Sequence, residues 1–254
     1  MDYKSVNEAR DLPGMRLVLT AGVPGPWGET AKSLMDYKGI PFVPVRQDGG
    51  GENAELVEWT GQSSAPVAVY DDQPPISHWL DLLMFLERLS PGKPLVPADP
   101  ELRVDCLGLS SLVAGVDGFG WNRRLHMLAP MMGMDTPPEP VARLAWKYGW
   151  SEGAHAASGE RLVSILGELD RRLAEQEGRG HEFFVGDAVT AVDFYWANFS
   201  GMISPLGPEV NPMPDFLRVT YESADEAVSA ALTPRLLVHR DRMYERFITL
   251  PLDF

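Results

Sequence analysis

The chain has one cysteine in 254 residues, Cys106. A lone thiol closes no intramolecular disulfide, and without a CxxC pair neither a zinc ribbon nor dithiol redox chemistry is available. Basic residues are also scarce, with 22 Lys and Arg against 36 Asp and Glu, a net charge of −14. That field repels nucleic acid and anionic membrane, so neither is expected as a partner. No run approaches the roughly 18 apolar residues needed to cross a bilayer. The start, MDYKSVNEAR, lacks the apolar core of a secretory signal, and the expected location is cytoplasmic. The five histidines, at 78, 126, 155, 181 and 239, show no metal-ligand spacing, so no metal is expected. Gly49-Gly50-Gly51 lacks the Gly-Lys-Ser/Thr ending of a phosphate-binding loop and reads as a turn.

What is present is ordinary for a soluble globular protein: 44% hydrophobic and 23% charged residues, in a length that suits one large domain or two modest ones. Residues 1–14 form a polar lead-in. MRLVLT (15–20), PFVPVRQ (41–47) and APVAVYDD (65–72) read as strands, the second suited by its prolines to an edge. Ala31, Leu34 and Met35 recur at helical spacing before Gly39, a C-cap residue, and Trp79, Leu82, Leu83, Leu86 and Leu89 share one helical face. PGKPLVPADPE (91–101) has four prolines in eleven residues and marks a linker. Beyond it strands become scarce. Leu162, Ile165, Leu166, Leu169 and Leu173 make the clearest amphipathic stripe, ending at Gly178, and 190–203 and 224–248 read as further helices, the latter broken at Pro234. An α/β region of 15–90 followed by an all-helical region of 102–254 means two domains.

The most specific local pattern is VGDAVTAVDFYWANF (185–199). Thr190 and Asp193 have the spacing of an N-cap and its N3 partner, with Val189 and Phe194 placed as a hydrophobic staple. On the residues alone this motif starts a buried helix and is structural. His239-Arg240-Asp241 copies a kinase triplet without the rest of that machinery and reads as a solvated helical face. Cys106 reads as a small packed residue.

The cap-box helix entered through GD-x-x-T-x-x-D resembles the helical domain of the glutathione transferase superfamily. LMDYKGIPF (34–42), SAPVAVYDD (64–72) and ISHWLDLLMFLERL (76–89) are similar, in order and spacing, to that family's first domain. The resemblance spans about residues 15–250 and implies a thioredoxin-like α/β N-terminal domain and an all-α C-terminal domain. It further implies glutathione as co-substrate, a small apolar electrophile as the other substrate, a site between the domains and a homodimer. Pro66 would be a cis-proline, with the N–H and C=O of Ala65 pairing with the cysteinyl backbone of glutathione. Ser77 would serve the γ-glutamyl carboxylate, or act as a simple N-cap; a shifted register puts His78-Trp79 there instead.

The family's catalytic serine or cysteine falls on Gly25-Pro26, and its alternative tyrosine on Thr20-Ala21, so the reactive side chain is absent. The amides of Gly28 and Glu29, with a hydroxyl from Thr20 or Thr30, are the remaining candidates for holding a thiolate. Trp27 would wall the site or pack the helix onto the sheet. Phe119, Trp121 and Asn122 would contact the acceptor substrate or belong to the core. Two other readings stay open: a non-catalytic binding or assembly module on the same fold, and an enzyme using another thiol or small acid.

Overall fold

The computed structural model describes all residues, 1–254. Three strands form one sheet: β1 (Met15–Thr20), β2 (Phe42–Gln47) and β3 (Val67–Tyr70), in the order β2-β1-β3. β1 runs parallel to β2, from Met15 opposite Phe42 to Thr20 opposite Gln47, and antiparallel to β3, from Met15 opposite Tyr70 to Val18 opposite Val67. The central strand is apolar almost throughout because both its faces are covered. Successive side chains alternate between faces. Val18, Val45, Val67 and Val69 share a core with Val6, Ala9 and Leu56. Leu19 projects the other way, toward α2 (Pro26–Lys38).

α2 ends where Gly39 takes a left-handed φ of 69°, its N–H returning to Asp36 and Met35. The last α2 side chain, Lys38, is buried and extends to α4 (Trp79–Leu89). Its Nζ lies 2.8 Å from the Glu87 carboxylate and donates to the Ser90 and Lys93 carbonyls, also at 2.8 Å. This three-acceptor cradle sets the spacing of the two helices on that face.

The first 14 residues are more than a lead-in. Ser5 and Glu8 form a capping box that opens the short helix α1 (Val6–Ala9), and Lys4 pairs with Val45 at the free edge of β2. Val6 and Ala9 are the apolar residues this turn needs, and both sit in the core with α3 (Ala54–Thr60). A fourth strand is reduced to a single bridge. Ile76 exchanges two 2.8 Å hydrogen bonds with Ala68, and the prolines at 74 and 75, which cannot donate, stop it growing.

By internal packing the chain divides into two units. One is Met1–Pro94 with Gly207–Pro214 and Phe247–Phe254; the other is Leu95–Leu206 with Asp215–Arg246. The two late segments of the first unit hold each other through Leu252 N–H to Val210 O at 2.8 Å, and Lys32 Nζ holds the Asp253 carbonyl at 2.7 Å. They group with the α/β unit, where the sequence expectation had placed all of 102–254 in the helical one.

The second unit is helical: α5 (Pro100–Ala114), α6 (Phe119–Met132), α7 (Glu139–Lys147), α8 (Glu152–Gly178), α9 (Ala191–Ser200), α10 (Asp215–Glu222), α11 (Glu226–Ala231) and α12 (Pro234–Arg246). The α8 stripe from Leu162 to Leu173 is buried, and α9 is buried on every side. Asp193 anchors α9. Its carboxylate accepts from Phe184 N, Thr190 N, Thr190 Oγ1 and His239 Nε2 at 2.7–3.0 Å. His239-Arg240 is therefore no solvated face: His239 is buried against Asp193, and buried Arg240 holds the Ser204 carbonyl and hydroxyl. Cys106 is fully buried, its thiol pushed up to about 11 by that burial. No helix is long and apolar enough to cross a membrane.

Candidate functional site

The loop after β1 delivers the chain to the N-terminus of α2. Gly25 is the N-cap in extended conformation, Pro26 occupies the first helical position, and no side chain caps the turn. Proline here is preorganised for the helix and brings no N–H. The Gly25 N–H turns back to Val23 O, and the Glu29 N–H is already donated to Gly25 O at 2.9 Å. Of the two amides expected to meet a thiolate, Glu29 is therefore engaged in the helix ladder. Gly28, buried at the third helical position, is among the first-turn donors, where the helix dipole favours an anion. A Cβ at Gly28 would stand 3.1 Å from Leu19 Cδ2, so that side chain would have to give by a few tenths of an ångström.

Neither candidate hydroxyl points at this turn as a free donor. Thr30 is buried, and its Oγ1 donates to Pro26 O within the helix at 2.8 Å. Thr20 Oγ1 donates to Gln47 Oε1 at 2.6 Å. From the sequence each threonine reads as a loose hydroxyl near the loop; in the fold each proton already has an acceptor. Trp27 is half-buried at the second helical position. Glu29, one turn in, is buried beside Lys32 at 2.8 Å; burial raises its carboxyl above the usual range, against the opposing pull of Lys32.

Across the same unit, the Ala65–Pro66 peptide is cis, and β3 begins one residue later, at Val67. The Ala65 N–H and C=O thus lie outside the sheet's ladder. Ser77 does not cap α4. The N-cap is His78, which makes no side-chain cap hydrogen bond, and Ser77 stands exposed one residue before it. The helix starts one residue later than the serine suggested, because Pro75 and the Ile76 bridge keep the chain extended.

In the helical unit the three acceptor-side candidates separate. Phe119 is fully buried, edge-on to Trp196 at 5.6 Å between ring centroids, and belongs to the core. Trp121 and Asn122 line an open groove of about 640 Å³ with Val116, Leu125, Tyr148 and Arg161. Trp121 meets Tyr148 edge-to-face at 4.9 Å. The Asn122 amide is committed to the turn before α6, donating to Asp117 and Gly118 carbonyls at 2.9 Å, so its role in the groove wall is to hold that turn. Tyr148 escaped the sequence reading: it lies 27 residues from Trp121, and no local period links the two.

No protein-family model and no curated protein sequence matches the chain. Solved structures do. A glutathione S-transferase from Methylobacterium radiotolerans in complex with glutathione sulfonate superposes with a TM-score of 0.65 at 18% identity, covering 91% of each chain. One from Methylobacillus flagellatus with glutathione bound gives 0.66 at 13% identity, covering 91% of this chain and 95% of that one. Rice GST1 in complex with glutathione gives 0.59 at 20% identity, covering 94% and 93%. The chain has the glutathione S-transferase fold: a thioredoxin-like unit with a three-stranded sheet and an all-helical unit.

Proposed function

We propose that this chain binds glutathione and transfers its thiol to a small apolar electrophile. The observation that carries this reading is the first turn of α2, which no side chain caps, in a fold whose solved examples hold glutathione. Glutathione supplies its own nucleophile, a thiol that ionises near ~8.5 when free and lower beside a helix N-terminus. The backbone, not a side chain, receives the thiolate. Ala65 would pair with the cysteinyl backbone as an added strand does. The amides opening α4, with Ser77 alongside, would take the γ-glutamyl carboxylate, and Trp27 would wall the site. In the step itself the thiol proton passes to solvent and the sulfur electron pair forms the new C–S bond. The electrophile's leaving group departs with the pair from the bond it breaks. Trp121 would contact the electrophile, and the working form would be a cytoplasmic homodimer.

A second reading, a binding module without turnover, is favoured by one observation: Gly25 carries no side chain at the N-cap of α2. One experiment separates them. Ligand at about 100 times its dissociation constant adds ~2.7 kcal/mol of stability, so millimolar glutathione and S-methylglutathione should each raise the melting temperature. A panel of chromogenic electrophiles then reads turnover. A shift with turnover supports the transferase, a shift without it the binding module, and no shift with either ligand overturns both.

A further inference from the structure

No backbone hydrogen bond holds residues 63 to 66, because the β3 ladder begins at Val67. Side chains do that work instead. Thr20 Oγ1 donates to Gln47 Oε1 at 2.6 Å, which orients the carboxamide so that Nε2 donates to Asp48 O at 2.7 Å and Ser63 O at 3.2 Å. Asn53 Nδ2 also donates to Ser63 O, at 3.0 Å. A carbonyl oxygen has two lone pairs, so two carboxamides saturate this one. Asn53 also holds the intervening turn: its two Nδ2 hydrogens are shared among Ser63 O, Asp48 O at 3.0 Å and Gly51 O at 2.9 Å, while Oδ1 accepts Asp48 N–H at 3.0 Å. It does so from a left-handed backbone conformation, φ 50°, that asparagine tolerates. Gln47 is buried at the end of β2.

We infer that Gln47 and Asn53 are positioning residues: by fixing the Ser63 carbonyl they hold the Ala65 peptide groups, two residues on, in place for an incoming ligand backbone. Strand addition needs that N–H and C=O at a set spacing, and the triglycine turn beside them would otherwise leave the segment loose. Thr20 is the pin that orients Gln47, which gives its hydroxyl a role other than meeting a thiolate. The inference rests on the reading of Ala65 given under the proposed function.

The test is Gln47→Glu, with S-methylglutathione affinity measured by calorimetry at pH 7.5 and pH 5.0 beside the unaltered protein. An ionised carboxylate still accepts from Thr20 but repels Ser63 O, so binding should weaken about tenfold or more at pH 7.5. Near pH 5 the buried carboxyl is protonated, the repulsion is lost and its single O–H is shared between Asp48 O and Ser63 O, so the gap should narrow. A gap of the same size at both pH values, or none at either, overturns the inference. If Gln47→Glu does not fold, Asn53→Gly, which keeps the left-handed backbone, must show the tenfold loss. If the unaltered protein takes no S-methylglutathione, the ligand reading falls and amide relaxation decides the positioning role. Order parameters at Ser64 and Ala65 should drop from about 0.85 to below about 0.6 in Asn53→Gly, and unchanged values there overturn it.

Discussion

A side chain at Gly25 would project into open space. Nothing lies within 4 Å of where its Cβ would stand, and its φ of −67° suits any residue. Gly25→Ser should therefore fold normally and gain a few tenths of a kcal/mol as a better N-cap. In the proposed site the new hydroxyl would also face the thiolate. One hydrogen bond to a charged group is worth about 1.5–3 kcal/mol, so the thiol of bound glutathione should ionise about one to two pH units lower. Thiolate ultraviolet absorbance reads this directly, and an unmoved titration would place the thiol elsewhere. Thr30→Val makes the opposite case. Its hydroxyl bonds Pro26 O inside the helix, so removing it should cost about 1 kcal/mol of stability and leave glutathione affinity unchanged. A loss of affinity beyond that of stability would return Thr30 to the site. In sequence Thr20 and Thr30 look alike, two hydroxyls flanking a loop. Their difference from a free donor lies in acceptors 27 residues and one helical turn away.

At the scale of elements, α9 depends on one carboxylate. Asp193 is fully buried and collects two backbone N–H groups, a hydroxyl and an imidazole. Asp193→Ala strips all of these partners at once and should destabilise by about 3–5 kcal/mol. Thr190→Val, which removes the cap hydroxyl alone, should cost about 0.5–2 kcal/mol. Denaturant unfolding compares the two, and equal losses would mean that the carboxylate does no more than its helix-capping half. The cap spacing, the α8 stripe, the Gly39 stop and the three strands were legible because each is a local pattern of period 2 or 3.6, closed by a residue of known backbone preference. α1 was not, because a four-residue helix shows only Val6 and Ala9 as apolar signal. The sequence leaves two registers open at the start of α4, because serine is the better cap by composition; the chain geometry set by Pro75 and Ile76 gives the cap position to His78. His239 was misread because its partner lies 46 residues away. The candidate site was legible as far as the loop, α2 and Ala65–Pro66; the Gln47–Asn53–Ser63 network was not, since carboxamides in a polar turn have no periodic signature.

For the whole molecule, acidification pulls in two directions. With a net charge of −14, lowering the pH toward the isoelectric point near 4.7 neutralises carboxylates and relieves self-repulsion. The helical unit holds an opposing device in His126, on α6. Burial holds its imidazole below the ordinary value; Asp225, 3.5 Å away at the start of α11, pulls it up, while Arg123 on α6 and His155 on α8 push it down further. The His155 ring stands 5.3 Å from that of His126 and stacks on Trp150, so a charge on His126 has little room to rearrange. A folded value lowered from 6.5 means that the unfolded chain binds the proton more readily. The His126 contribution to stability is therefore whole above about pH 6.5 and is lost as the pH falls through the lower, folded value. His126→Gln keeps a polar side chain beside Asp225 and removes the titration, while every surface carboxylate still responds. Denaturant midpoints taken from pH 7.5 to 5.5 should fall more steeply, or rise less, in the unaltered protein than in His126→Gln. Parallel curves would mean that the proton on His126 costs the fold nothing.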